Sequence, residues 1–201
     1  MYAKLSKCSF GQAKLEYLSH FVSAQGVSVD PTKIQAVLNW PKPKTIAVVR
    51  GFLVLTGYYQ RFVKGYAQIT SPLTDLLKKD GFDWGEAADL PFERLKRALT
   101  EVYVLALPDF SKAFAVETDA SGLAVGVILS QNRHPIAYFS KKLPPRLQSA
   151  SAYSREMYAI TAAVRRWHPY LLGRPFTIFT DHKSPKQLLT QTNRHQSSKL
   201  G

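Results

Sequence analysis

The sequence predicts an α+β / α/β protein: a helical region followed by a mixed sheet with helices packed on it. Two observations carry this. Between residues 31 and 80, apolar residues recur at helical spacing, and Pro and Gly divide the segment into short helices. From residue 113 onward the pattern changes to short apolar runs separated by turn signals, with one long amphipathic stretch between the third run and the fourth.

The elements follow in order. Leu15-Glu-Tyr-Leu-Ser-His-Phe-Val-Ser23 is rich in aromatic and β-branched residues, and Ala24-Gln-Gly26 is a turn signal, so residues 1–30 read as short strands. Asp30-Pro31 marks a helix start, with Asp30 as N-cap and Pro31 in the first position. That helix buries Ile34, Val37 and Leu38, and Pro41-Lys-Pro43 stops it at Trp40. Thr45 caps a second helix carrying Val48, Val49, Phe52, Leu53 and Leu55, with Gly57 near its end. Ser71-Pro72 repeats the cap-plus-proline pattern and predicts a third helix from there to Lys79. Residues 81–112 form a connector, with a helix over Phe92, Leu95, Lys96 and Leu99 and Asp89 as its candidate cap before Pro91.

In 113–201, Phe114–Thr118, Ala124–Leu129, Pro135–Ser140 and Phe176–Thr180 read as four strands. Ser151 caps a long helix with Tyr153, Met157, Ile160, Val164 and Trp167 on one stripe. Pro169 and Gly173 lie where it should end, and Ser184-Pro185 opens another helix over Leu188 and Leu189.

Composition narrows the partners. Lys and Arg total 27 against 14 Asp and Glu, a net charge of +13, which favours a polyanion, with nucleic acid first and an anionic membrane surface second. One cysteine, Cys8, excludes a disulfide framework and a Cys-based zinc site. No apolar run is long enough to cross a bilayer, and the N-terminus lacks the apolar core of a signal peptide. The expected setting is intracellular, cytoplasm or nucleus, with no membrane role.

Three acids stand out. Asp119 follows the first strand, Glu156 lies in the long helix, and Asp181 follows the fourth strand. Singly, each has a plainer reading: a turn former, a solvated helix residue, a cap. Together they differ. Glu156 has Tyr153 and Ile160 as helix neighbours, both on the buried stripe, so it lies near the seam. If the first and fourth strands are neighbours and the helix crosses them, the acids meet at one end. Such a cluster of like charges calls for a cation, and hard oxygen ligands suit Mg²⁺ and phosphodiester chemistry.

These residues resemble the Pol polyprotein of gypsy-class LTR retrotransposons, from the end of reverse transcriptase into ribonuclease H. The matching segments run collinearly to about Gln191. They include Tyr2-Ala-Lys-Leu-Ser-Lys-Cys-Ser-Phe10, Trp40-Pro-Lys-Pro43, Arg50-Gly-Phe-Leu-Val-Leu-Thr-Gly-Tyr-Tyr59 and Val104-Leu-Ala-Leu-Pro-Asp-Phe110. The most specific are Glu117-Thr-Asp-Ala-Ser-Gly122, Pro135-Ile-Ala-Tyr-Phe-Ser140, Tyr170-Leu-Leu-Gly173 and Thr180-Asp-His182.

The resemblance implies that residues 1–30 are the end of the polymerase palm with its primer-gripping hairpin. It implies a thumb over 31–80, a connector over 81–112 and an RNase H-like domain over 113–201. Asp119, Glu156 and Asp181 take three of that fold's four acidic positions, holding two Mg²⁺ ions that Mn²⁺ can replace. The implied partner is an RNA–DNA hybrid or template–primer duplex, with other Pol segments alongside. Tyr17, Lys42, Lys44, Arg50, Arg61 and Lys64 are the expected nucleic-acid contacts.

Departures from the family pattern are informative. The polymerase Tyr-X-Asp-Asp motif is absent, and the fourth RNase H aspartate, with the last strand and helix, falls beyond residue 201, so an incomplete, C-terminally truncated domain is expected. Ser19 and Val54 replace glycines, Gln60 an arginine and Tyr103 a proline, and Ser154 replaces an acid. The implied activity is metal-dependent endonucleolytic cleavage of RNA in hybrids; the alternative is a catalytically inactive, basic nucleic-acid-binding remnant.

Overall fold

The structure is a computed structural model that describes residues 10–78, 82–102 and 104–180. It begins with a three-stranded antiparallel sheet, β1 (Lys14–Tyr17), β2 (His20–Ser23) and β3 (Gly26–Val29). The first turn is Leu18-Ser19, both at positive φ, 48° and 57°, as a two-residue hairpin of the primed type requires. The left-handed backbone at Ser19 accounts for the glycine that the family resemblance expects there.

Helix α1 (Pro31–Leu38) starts as expected: the Asp30 carboxylate accepts from Thr32 N at 2.8 Å. In α2 (Ile46–Tyr58), Thr45 accepts from Val48 N. A short 3₁₀ turn over Gln60–Phe62 follows.

The third and fourth helices correct the expectation. Helix α3 spans Tyr66–Asp75, with Gly65 as N-cap and Pro72 inside it, so Ser71-Pro72 does not open a helix. Helix α4 spans Glu86–Thr100, with Gly85 as N-cap and Pro91 inside it; Asp89 lies in its first turn and is not its cap. An internal proline costs a helix about 3 kcal/mol. In α4, Ala88, Phe92, Leu95 and Leu99 are all buried on one stripe. At about 1.5–3 kcal/mol per large apolar side chain, that burial outweighs the proline. In α3, Ile69 and Leu73 are buried in the same core. Its first turn is capped from a distance: Ser140 Oγ accepts from Ala67 N at 2.8 Å across 73 residues. The core between α1 and α4 centres on Phe52 and Phe92, whose rings lie 4.6 Å apart.

The second sheet has four strands in the order β6-β5-β4-β7. They are β4 (Phe114–Ala120), β5 (Ala124–Gln131), β6 (His134–Lys142) and β7 (Phe176–Thr180). Strand β4 runs antiparallel to β5 and parallel to β7, with Thr118 opposite Thr180. After α5 (Pro145–Gln148) comes α6 (Ala152–Arg166), then α7 (His168–Leu171) with Pro169 at its start. Ser151 caps α6, accepting from Ser154 N at 3.2 Å.

The period of two along the strands decides what each face meets. Phe114, Val116, Val127 and Leu129 pack under Ala163 and Trp167 of α6 and its end. The opposite face is half covered: α3 lies on β5 and β6, where Tyr138 joins the first core and Lys142 Nζ reaches the Asp75 carboxylate at 2.9 and 3.1 Å. Among the described residues, the β4–β7 half of that face is open.

One step of backbone joins the two sheets. Leu105 exchanges both backbone hydrogen bonds with Val27 of β3, at 2.8 and 2.9 Å, and Ala106 N donates to Pro135 O of β6 at 2.8 Å. A Cβ on Gly26 would sit 2.1 Å from Leu105 O, so only glycine admits this approach.

Candidate active site

Glu156 is fully buried. It sits in the first half of α6, which lies across β4, and its carboxylate points into the seam between β4 and β7. Its Oε1 accepts from Thr118 Oγ1 and, at 2.7 Å, from Thr180 Oγ1. Its Oε2 is buried and has no hydrogen-bond partner among the described residues. The two threonines were not singled out from the sequence, but their signal was there: each immediately precedes an acid at the end of an apolar run.

Asp119 is the next residue after Thr118 on β4, so its side chain leaves the sheet on the other face. There it is exposed and lines a pocket of about 180 Å³ with Glu117, Lys64, Gly65 and Gln68. A larger open groove of about 570 Å³ continues along the β4–β7 half, lined by Glu117, Ser130, Arg133 and Phe179. The structure thus brings Glu156 to β4 and β7, as the helix-over-strands reading expects, and places the strand between Glu156 and Asp119. Asp181 lies outside the described residues. Among the described residues, no three His, Cys, Asp or Glu side chains form a group that could hold a metal ion.

The donor chemistry suits a hard divalent cation. A buried carboxylate oxygen without a partner is a costly state that a bound cation relieves. Glu156 Oε2 is such an oxygen.

The expected nucleic-acid contacts are distributed over the first half of the chain. Tyr17 is 63% exposed and lines a surface cleft with His20, Tyr58 and Arg61. Tyr59 is core, whereas Tyr58 is half exposed and donates from its hydroxyl to Leu18 O at 2.6 Å. Lys44, Arg50, Arg61 and Lys64 are exposed and make no ion pair among the described residues. Lys42 differs: its Nζ lies 2.8 Å from the Asp89 carboxylate. The Lys42 hydrogen bond, with that of Trp84, holds Asp89 below the usual carboxylate range. Among the described residues, no helix is long and apolar enough to cross a membrane.

Known proteins give this geometry a context. Residues 84–178 match the RNase H-like domain found in reverse transcriptase. The chain is 40% identical over 186 residues to the retrovirus-related Pol polyprotein from transposon 297 of Drosophila melanogaster, covering 90% of this chain and 17% of that protein. It is 33% identical over 203 residues to the transposon Tf2-3 polyprotein of Schizosaccharomyces pombe, covering 97% and 15%. An uncharacterised mitochondrial protein of Arabidopsis thaliana is 52% identical over 115 residues, covering 56% of this chain and 73% of that one. The chain spans about a sixth of the length of the retrotransposon polyproteins it matches. In fold it is similar to the foamy viral protease-reverse transcriptase in complex with RNA/DNA hybrid, with a TM-score of 0.79 at 18% identity, covering 89% of this chain and 25% of that one. The same enzyme in complex with dsDNA superposes with a TM-score of 0.78, covering 39% of that chain. Residues 84–178 are therefore an RNase H-like domain of the kind found in reverse transcriptase, and the homologues of the chain are Pol polyproteins of retrotransposons.

Proposed function

We propose that this chain is a gypsy-class reverse transcriptase/RNase H segment that binds an RNA–DNA hybrid and cleaves its RNA strand. The observation that carries the reading is Glu156: a fully buried carboxylate, held by a threonine from each of two parallel neighbouring strands, with its second oxygen unpaired among the described residues. A purely structural site would be better served by a neutral residue.

Asp119, Glu156 and Asp181 are the residues that would hold Mg²⁺. The ion, when bound, supplies an acidified water for in-line attack and charge stabilisation at the leaving 3′ oxygen. Thr118 and Thr180 fix the Glu156 carboxylate by donating to one oxygen, which leaves the other available as a ligand. The exposed Lys44, Arg50, Arg61 and Lys64 neutralise phosphates without reading sequence. The foamy viral protease-reverse transcriptase, similar in fold, forms complexes with RNA/DNA hybrid and with dsDNA, which supports a duplex partner.

A second reading, duplex binding without cleavage, is favoured by one observation: β4 stands between Asp119 and Glu156. Incubating the purified chain with labelled RNA–DNA hybrid in Mg²⁺ or Mn²⁺, beside Asp119→Asn, separates the two. Cutting that is lost in the variant while binding remains is the expected result. Binding without cutting by the folded wild-type chain establishes the second reading.

A further inference from the structure

We infer that the groove between β6 and the outer face of α6 is a second nucleic-acid backbone site, gripping phosphates several nucleotides away from Glu156. The groove has a volume of about 570 Å³ and is lined by Lys141, Arg165 and Arg166 together with Phe139, Met157 and Tyr158. Lys141, Arg165 and Arg166 are all exposed and make no ion pair among the described residues. Among the described residues, no acid lines the groove. Lys141 Nζ sits 5.9 Å from the centre of the Tyr158 ring, so an aromatic surface positions the lysine over the groove.

A comparison within the molecule shows why this matters. A groove of similar size along α4 also carries cations, Lys64, Arg94 and Arg97, but Glu93 and Glu101 line it too. Charge there is mixed, whereas charge beside α6 has one sign. A one-sign groove with an apolar floor suits a sugar–phosphate backbone: guanidinium groups meet phosphates and the sugars rest on Met157 and Tyr158. Arg165 and Arg166 lie nine and ten residues beyond Glu156 on the same helix. At 1.5 Å per residue this is about 14 Å, or roughly four nucleotide steps of 3.4 Å. Helix α6 would then act as a ruler, with its carboxylate at one end and its phosphate clamp at the other.

The inference rests on the duplex-binding reading above, and the test separates the two. Binding of a labelled RNA–DNA hybrid to the full chain is measured between 50 and 200 mM salt, for wild type, R165Q/R166Q and the charge-matched control R94Q/R97Q. Each lost phosphate contact removes about 0.9 from the slope of log affinity against log salt. Two lost contacts therefore lower the salt sensitivity by about 1.8 in slope, so wild type should lose about 12-fold more affinity than R165Q/R166Q over that range. The control should keep the wild-type slope, and Lys141→Gln should lower it by about 0.9. Equal slopes for wild type and R165Q/R166Q would overturn the groove while leaving duplex binding intact. Absence of any salt-dependent binding by wild type would overturn both. Both arginines are exposed, so the thermal melt of R165Q/R166Q should match wild type and certify its fold.

Discussion

Replacing Glu156 by Gln should make the metal-free protein more stable. The side chain is fully buried, with two hydroxyl donors on one oxygen and, among the described residues, none on the other. Glutamine keeps an acceptor for both threonines and takes a negative charge out of the interior. An unpaired neutral group costs about 1–3 kcal/mol and a charged one more, so the exchange should gain on the order of 1–2 kcal/mol. For a chain of 201 residues, each kcal/mol moves Tm by about 2–4 °C, giving a rise of about 2–8 °C. The assay is a thermal melt followed by circular dichroism in EDTA, repeated in Mg²⁺. Wild type should gain from the ion and the variant should not. For a site with Kd near 1 mM, 10 mM Mg²⁺ adds about 1.4 kcal/mol to wild type alone. A lower Tm for Glu156→Gln in EDTA would refute the reasoning, because the carboxylate would then be satisfied as it stands. An equal Mg²⁺ effect on both proteins would remove Glu156 from any cation site.

Two further outcomes concern the contact between α3 and the second sheet. Ser140→Ala removes the acceptor of the Ala67 N–H and leaves the first turn of α3 without its cap, so stability to urea should fall by about 1 kcal/mol and hydrogen exchange should quicken at the start of α3. Asp75 is held below its ordinary value of 3.8 first by its bond to Lys78 and then, against the opposing effect of burial, by Lys142. A carboxylate shifted down contributes stability that is present above the unfolded value and lost as pH falls through the folded one. The α3–β6 contact should therefore be unchanged above about pH 4 and loosen only below it, seen as faster exchange in both elements. Lys142→Met should remove part of that pH dependence.

Helix starts were legible where cap and helix are neighbours in sequence. Asp30-Pro31 and Thr45 stand directly before the helices they open. The start of α3 was not legible, because Gly65 offers no side chain and the bond that replaces a cap comes from Ser140 on another sheet. Ser71-Pro72 carries the right local chemistry for a helix start, and long-range packing overrides it. Glu156 was readable as a seam residue from Tyr153 and Ile160. The face occupied by Asp119 was harder to read. A strand that stops at Thr118 leaves the next side chain undirected, whereas the ladder continues to Ala120, and the period of two then sends Asp119 away from Thr118.

The backbone step at Leu105 and Ala106 has a consequence for how the chain reaches this fold. Leu105 closes onto β3 near the start of the described chain, and Ala106 closes onto β6, well downstream. The N-terminal hairpin therefore gains its outer backbone partner only after all of α1–α4 has been made, and β6 must follow before the joint is complete. Contacts of such long sequence separation form slowly, because the intervening loop must close before they contribute. During synthesis the early sheet would wait with one edge unpaired, exposed to pairing with other chains. At Gly26, any side chain would block the late arrival of Leu105 and prolong that wait.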